Sequence, residues 1–216
     1  MLASAVINRA AVLLQDTTNV RWPRLELLDW LNDATLQIVM LRPDSSVANA
    51  SVTLVAGTKQ SIPDAGLRLL DVIRNVTGRA VRLVSREILD AQNPEWHTSA
   101  GAAVIKHYSV DLRDPKRFYV FPPATASAAV EVLYSVPPTA CADETSTVGV
   151  SDIYVNQIVD LMMFRAYSKD AEYAANSAKA DACMKRAMEI LGAKTAIDIA
   201  ADATKSQSNL INPNAR

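Results

Sequence analysis

Histidine, serine and aspartate fall at alternate positions 107, 109 and 111 in the stretch HYSVD, the chain's nearest approach to a nucleophile–base–acid relay. Alternate residues of a strand face the same side, so an extended segment would line up His107, Ser109 and Asp111. A working relay needs its base within about 2.6–3.2 Å of the nucleophile. Residues two apart along a strand stand roughly 6.5–7 Å from each other, which asks for unusual side-chain reach. A polar solvent face on an edge strand explains the alternation without catalysis. Hydrolysis at these three residues is therefore the least favoured function. Glu95-Trp96-His97 has no second histidine at metal-ligand spacing. Asp111 and Asp114 flank a turn, where polar residues are expected anyway. No phosphate-binding glycine loop, dinucleotide fingerprint or nucleophile elbow occurs. Cys141 and Cys183 are too few and too far apart for a disulfide framework or a zinc site. Met162-Met163-Phe164 reads as core packing. The expectation is a non-enzyme without cofactor or metal, folded in a reducing compartment.

Charge offers a second possibility. Over the middle of the chain Arg68, Arg74, Arg79, Arg82, Arg86, Lys106, Arg113, Lys116 and Arg117 outnumber the acids, with only Tyr108, Phe118 and Tyr119 interleaved. Contact with phosphates or an acidic partner through Arg74, Arg79, Arg82, Arg113, Lys116 and Arg117 is the nucleic-acid alternative. A formal net charge of −1 argues against the whole chain being a nucleic-acid binder.

The elements that must position these residues begin with RWPRLELLDWLNDATLQIVMLRPD (21–44). Pro23 suits the start of a helix and Pro43 its end. Between them Leu27, Leu31, Ala34, Ile38 and Leu41 share a face that Trp30 widens. A first helix is expected over 2–16, with Leu2, Val6, Ala10 and Leu13 inward, forming a hairpin with the second. After Pro43 the pattern becomes short and β-branched: a hairpin at Gly57-Thr58, a turn at Thr77–Arg79, and a short helix capped by Ser85. Strands follow at 103–110, 118–121 and 129–134, the last two ended by Pro122-Pro123 and Pro137-Pro138. From Ser151 helical spacing returns through Val155, Val159, Met162 and Ala166, and again through Ala180, Met184, Ala187, Met188 and Leu191 to a stop at Gly192. The expected fold is α+β. Residues 1–44 and 151–192 form a helical bundle, 45–150 an inserted antiparallel β domain (sandwich or barrel-like), and 193–216 an extended C-terminal arm. That arm, about 80 Å if stretched, carries Ile197, Ile199, Leu210 and Ile211 through polar sequence, a pattern suited to a neighbour's groove. The N-terminus does not read as a signal peptide, and no apolar run is long enough for a membrane.

Four segments together carry a family resemblance: 21–44, VTLVAGTKQSIPDAGLRLLDVIRNV (52–76), HYSVDLRDPKRFYVFPP (107–123) and DIYVNQIVDLMMFRAYSKDAEYA (152–174). In order and at natural spacing, they resemble the head-to-tail adaptor proteins of tailed bacteriophages, short-tailed-phage type, similar to T7-like tail tubular protein A. The resemblance covers about residues 1–192. It implies a virion protein, assembled in the host cytoplasm, that forms a twelve-subunit ring between the portal and the tail. Its implied partners are copies of itself, the portal protein, the tail nozzle and tail fibres, and genomic DNA passing through without specific binding. No catalytic residue is implied. What transfers is a fold core of Trp22, Pro23, Leu27, Leu28, Trp30, Leu31, Asn32, Pro43 and Asp44. The implied orientation sets the helices and the arm, with Ile197, Ile199, Leu210, Ile211 and Arg216, against the portal, and the β domain's cations towards the channel or the tail.

Overall fold

In a computed structural model, residues 1–111, 113–170, 172 and 174–201 are described. They form two units, one of residues 1–42 with the chain from 139 onward, the other of residues 43–138. The helical unit contains α1 (Ala3–Leu13), α2 (Arg24–Leu41), α4 (Val155–Lys169) and α5 (Ala174–Ala201). Its core takes Leu27, Leu31 and Ile38 from α2, Ile158, Leu161 and Met162 from α4, and Cys183, Ala187 and Leu191 from α5. These residues recur at three- and four-residue spacing, so each helix buries one stripe.

The expected α1 stripe holds at Val6 and Ala10 and slips by one position at its two ends. Ala3, Val6, Ile7, Ala10, Ala11 and Leu14 are buried, while Leu2 and Leu13 are half exposed. Small alanines let α1 lie close against its neighbours, and Leu2 precedes the helix, bridging to Thr147 instead. Leu41 likewise faces outward at the end of α2. Between α1 and α2 the Asp16 carboxylate accepts backbone N–H groups of Val20, Arg21 and Trp22 at 2.9–3.0 Å. Those donors, that of Trp22 foremost, hold its pKa below the ordinary value.

The expected boundary at residue 150 moves back to 138. Helix α1 has no side-chain cap, and its first N–H groups find partners in the returning chain: Ala3 donates to Ser146 O and Ser4 to Glu144 O, both at 2.9 Å. The Asn32 amide makes two hydrogen bonds with the Cys141 backbone, and Arg24 grips Glu144 with two of its nitrogens. Cys141, Val148 and Val150 are buried with the helices. Residues 139–150 are thus the seam of the bundle, not the edge of the β unit.

Among the described residues the β unit is sandwich-like, with no closed barrel. One sheet has the order β1 (Val47–Thr53), β7 (Ala129–Ser135), β3 (Arg68–Asn75) and is antiparallel. The other runs β2 (Gly57–Ser61), β6 (Arg117–Ala124), β5 (His107–Val110), β4 (Arg82–Leu83), and its β4–β5 pair is parallel, so the expected all-antiparallel sheet is corrected to a mixed one. Phe118, Val120, Ile105, Val72, Val130 and Val132 fill the core between the sheets. Gly57 does not turn a hairpin. At φ +113° it carries the chain from β1 in one sheet to β2 in the other, and the buried Gln60 side chain pins that passage through Val55 and Gly57. Pro122 and Pro123 do not end β6, because they sit where the register with β2 slips between Gly57 and Lys59 and no ladder N–H is required of them. The strand expected over 103–110 shortens to 107–110. Helix α3 (Arg86–Gln92) forms as expected, although Ser85 makes no side-chain cap.

Gly192 is not a stop either. Helix α5 continues to Ala201, so residues 193–201 are helical, not extended, with Ile197 and Ile199 on that helix. Leu210, Ile211 and Arg216 of the expected arm lie outside the described residues.

Candidate interaction surfaces

Strand β5 holds His107 opposite Phe121 of β6 and Ser109 opposite Tyr119. The His107 ring stacks on Phe121, and its Nδ1 is buried without a hydrogen-bond partner among the described residues. Burial, and then the positive charges of Arg82, Lys106 and Arg79, depress its pKa. Ser109 is 2% exposed. Asp111 lies beyond the end of β5, where Arg113 grips its carboxylate with two guanidinium bonds at 2.9 and 3.0 Å plus a backbone N–H at 3.0 Å. These contacts pull its pKa down to about 2, with Arg86 at 3.7 Å adding a smaller share. The acid is thus committed to arginine, and the imidazole is left without an orienting carboxylate. The three residues do not form a relay.

Ser109, Asp111 and Arg113 do line a cleft of about 610 Å³ that also takes in Arg86, Glu87 and Tyr119. The other histidine, His97, stacks on the fully buried Trp96 at 3.7 Å between ring centroids, and its Nδ1 lies 2.8 Å from the Thr58 hydroxyl. The Trp96 indole N–H donates to Asp90. That grouping locks the 96–98 turn onto β6, a packing role. Among the described residues no three His, Cys, Asp or Glu side chains converge as metal ligands.

The arginines read from the sequence as one basic patch separate into two groups. Arg74 bonds Glu131, Arg113 bonds Asp111, Arg117 sits 3.7 Å from Asp114, and Lys116 reaches the Asp64 carbonyl. Among the described residues Arg79 and Arg82 carry no such ion pair. Glu131 is 57 positions from Arg74 and meets it only because β3 and β7 are neighbours. Sequence alone could not show that neutralisation.

The residues named as fold core divide as well. Trp22, Leu27, Leu28 and Leu31 are buried, and Trp30 packs half-buried against them. Pro23 precedes the first turn of α2, and Asn32 holds Cys141. Pro43 and Asp44 open a short 3-10 turn at the start of the β unit. An ion pair missed from the sequence joins the nearly buried Asp160 of α4 to Arg186 of α5, with bonds of 2.5 and 3.2 Å. Nothing in the spacing of these two residues predicts it, since they are 26 positions apart on different helices.

The described residues thus comprise a helical bundle interrupted in sequence by a β sandwich. The family of SU10 adaptor proteins matches residues 1–212, and the chain belongs to it. It is a phage head-to-tail adaptor, a structural component of the virion that associates with other head and tail proteins. No curated protein matches the chain. No helix among the described residues is long and apolar enough to cross a membrane.

Proposed function

We propose that this adaptor assembles into a ring, twelve copies in the reading taken here, that joins the portal to the tail and surrounds the DNA channel. The observation carrying the proposal is family membership over nearly the whole chain. A ring requires heterologous interfaces that close by rotation. The net charge of −1, with Arg74, Arg113 and Arg117 already neutralised, suits a channel through which the duplex slides. Strong phosphate binding would oppose that passage.

The portal contact is assigned to the C-terminal segment 193–216, with Ile197 and Ile199 on α5 and Leu210, Ile211 and Arg216 beyond it. The β unit is assigned to the tail side, facing the nozzle and fibres. Electron microscopy of the full chain mixed with its portal protein tests the reading. Rings seated on the portal are expected, and truncation after Ala201 is expected to release them. A chain that stays monomeric at high concentration with portal present would overturn it.

A further inference from the structure

Two apolar surfaces of the helical unit face solvent. The first is a groove of about 700 Å³ lined by Val12 and Leu13 of α1, Val159 of α4 and Ile190 of α5, with Arg9 on its rim. Val12 is 62% exposed and Leu13 55%. The groove's other rim charges, Asp160 and Arg186, satisfy each other, and among the described residues Arg9 has no ion-pair partner. The second surface is a ridge on the outer side of α2. At 3.6 residues per turn Leu25, Asp29, Leu36 and Met40 fall within about 60° of one another. Leu25 is 77% and Met40 75% exposed. Among the described residues Asp29 has no ion-pair partner, whereas Glu26 and Asp33 beside it are matched by Lys169 and Arg165.

The two surfaces complement each other. One is concave and apolar with a single unmatched cation, the other convex and apolar with a single unmatched anion. A heterologous contact, in which one patch of each copy meets a different patch of the next, is what a closed ring needs. We propose that the occupant of the groove is a second copy of this chain. The α2 ridge of one subunit seats between α1, α4 and α5 of its neighbour, with Asp29 opposite Arg9. The inference rests on the ring reading above and adds the surfaces that build the ring.

The test uses the full chain carrying Met40→Glu, which spoils the ridge, or Leu13→Glu, which spoils the groove. Both positions are exposed, and circular dichroism verifies that the variants fold. Assembly is scored by native mass spectrometry, as free rings or, with portal protein added, as rings on the portal. Each variant alone is expected to be monomeric. Mixed together they are expected to form dimers and nothing larger, since one intact ridge meets one intact groove. Arg9→Asp and Asp29→Arg should each weaken assembly at least tenfold, and the double exchange should restore it. Wild-type rings from either glutamate variant, or a mixture that stays monomeric, would overturn this interface while leaving the ring reading intact. Failure of the unmodified chain to assemble in any condition would overturn both. A double exchange no better than either single one removes the Arg9–Asp29 contact.

Discussion

Tyr108 donates its phenol hydrogen to Asp71 at 2.6 Å from a nearly buried position on β5. Burial first and the bond to Asp71 second keep the phenol protonated well beyond its ordinary range. Its folded-state pKa is raised, so the stabilisation is complete below about pH 10 and is lost as pH climbs towards the folded value. Tyr108→Phe should cost about 1 kcal/mol in a urea titration at pH 7 and should flatten the alkaline decline. His107 has the opposite sign of linkage. Its pKa is depressed, so the fold favours the neutral ring. That contribution is present above about pH 6.5 and fades as pH falls through the lower folded value. Proton NMR should place the His107 titration below 6.5, and Arg82→Gln should move it upward. A normal His107 midpoint in the unmodified chain would contradict the burial of its ring. His107 was picked out from the sequence as part of a strand's polar face and as a candidate base, and Tyr108 only as an aromatic among the basic residues. Their partners were not legible, because Phe121 meets His107 through pairing of β5 with β6, and Asp71 meets Tyr108 from β3 in the other sheet.

At the scale of elements, spacing was legible where large side chains fill the stripe. Leu27, Leu31 and Ile38 of α2 and Met162 of α4 are all buried at the expected turns. Leu31→Ala should therefore cost about 2–5 kcal/mol in denaturant unfolding. On α1 the expected Val6 and Ala10 are buried but Leu2 and Leu13 are not, their places taken by Ala3 and Leu14, because hydrophobic size says nothing about how closely two helices approach. Alternation likewise assigns faces to strands but not partners, so the chain around Gly57 read as a hairpin when it crosses between sheets. Asn75 holds a different passage, the one from β3 in one sheet to β4 in the other. Its buried amide bonds the Arg79 and Ile105 carbonyls at 2.9 and 2.8 Å and accepts the Ile105 N–H at 2.7 Å. Asn75→Ala should destabilise the β unit by more than about 2 kcal/mol, since buried backbone groups would lose their partners. Gly66→Ala should also destabilise, because its Cβ would lie 2.6 Å from Ile62 Cδ1 and 2.8 Å from Tyr134 Cδ2.

For the molecule as a whole, the α+β class and the adaptor family could be read from four ordered segments, while the surfaces that make an adaptor useful could not. A basic patch in the sequence becomes a set of ion pairs once β3, β7 and the 111–117 turn are in place. The resulting expectation is a weak duplex-DNA affinity with a shallow dependence on salt, measured by fluorescence anisotropy between 50 and 200 mM salt. Alanine at Arg79 and Arg82, the two without an ion pair among the described residues, should lower it further. A steep salt response would instead revive the nucleic-acid reading.

The seam between α1 and residues 144–148 has a temporal side. During synthesis the first two helices emerge with Leu27 and Leu31 uncovered, and their cover on α4 lies more than a hundred residues downstream. At about 5–20 residues per second, that wait is on the order of ten seconds. The β unit, complete by residue 138, has every strand it needs before the bundle has its third helix. The subunit is finished in the middle first and at its two ends last. On that schedule the apolar stripe of α2 is made before any strand and is covered only after all of them.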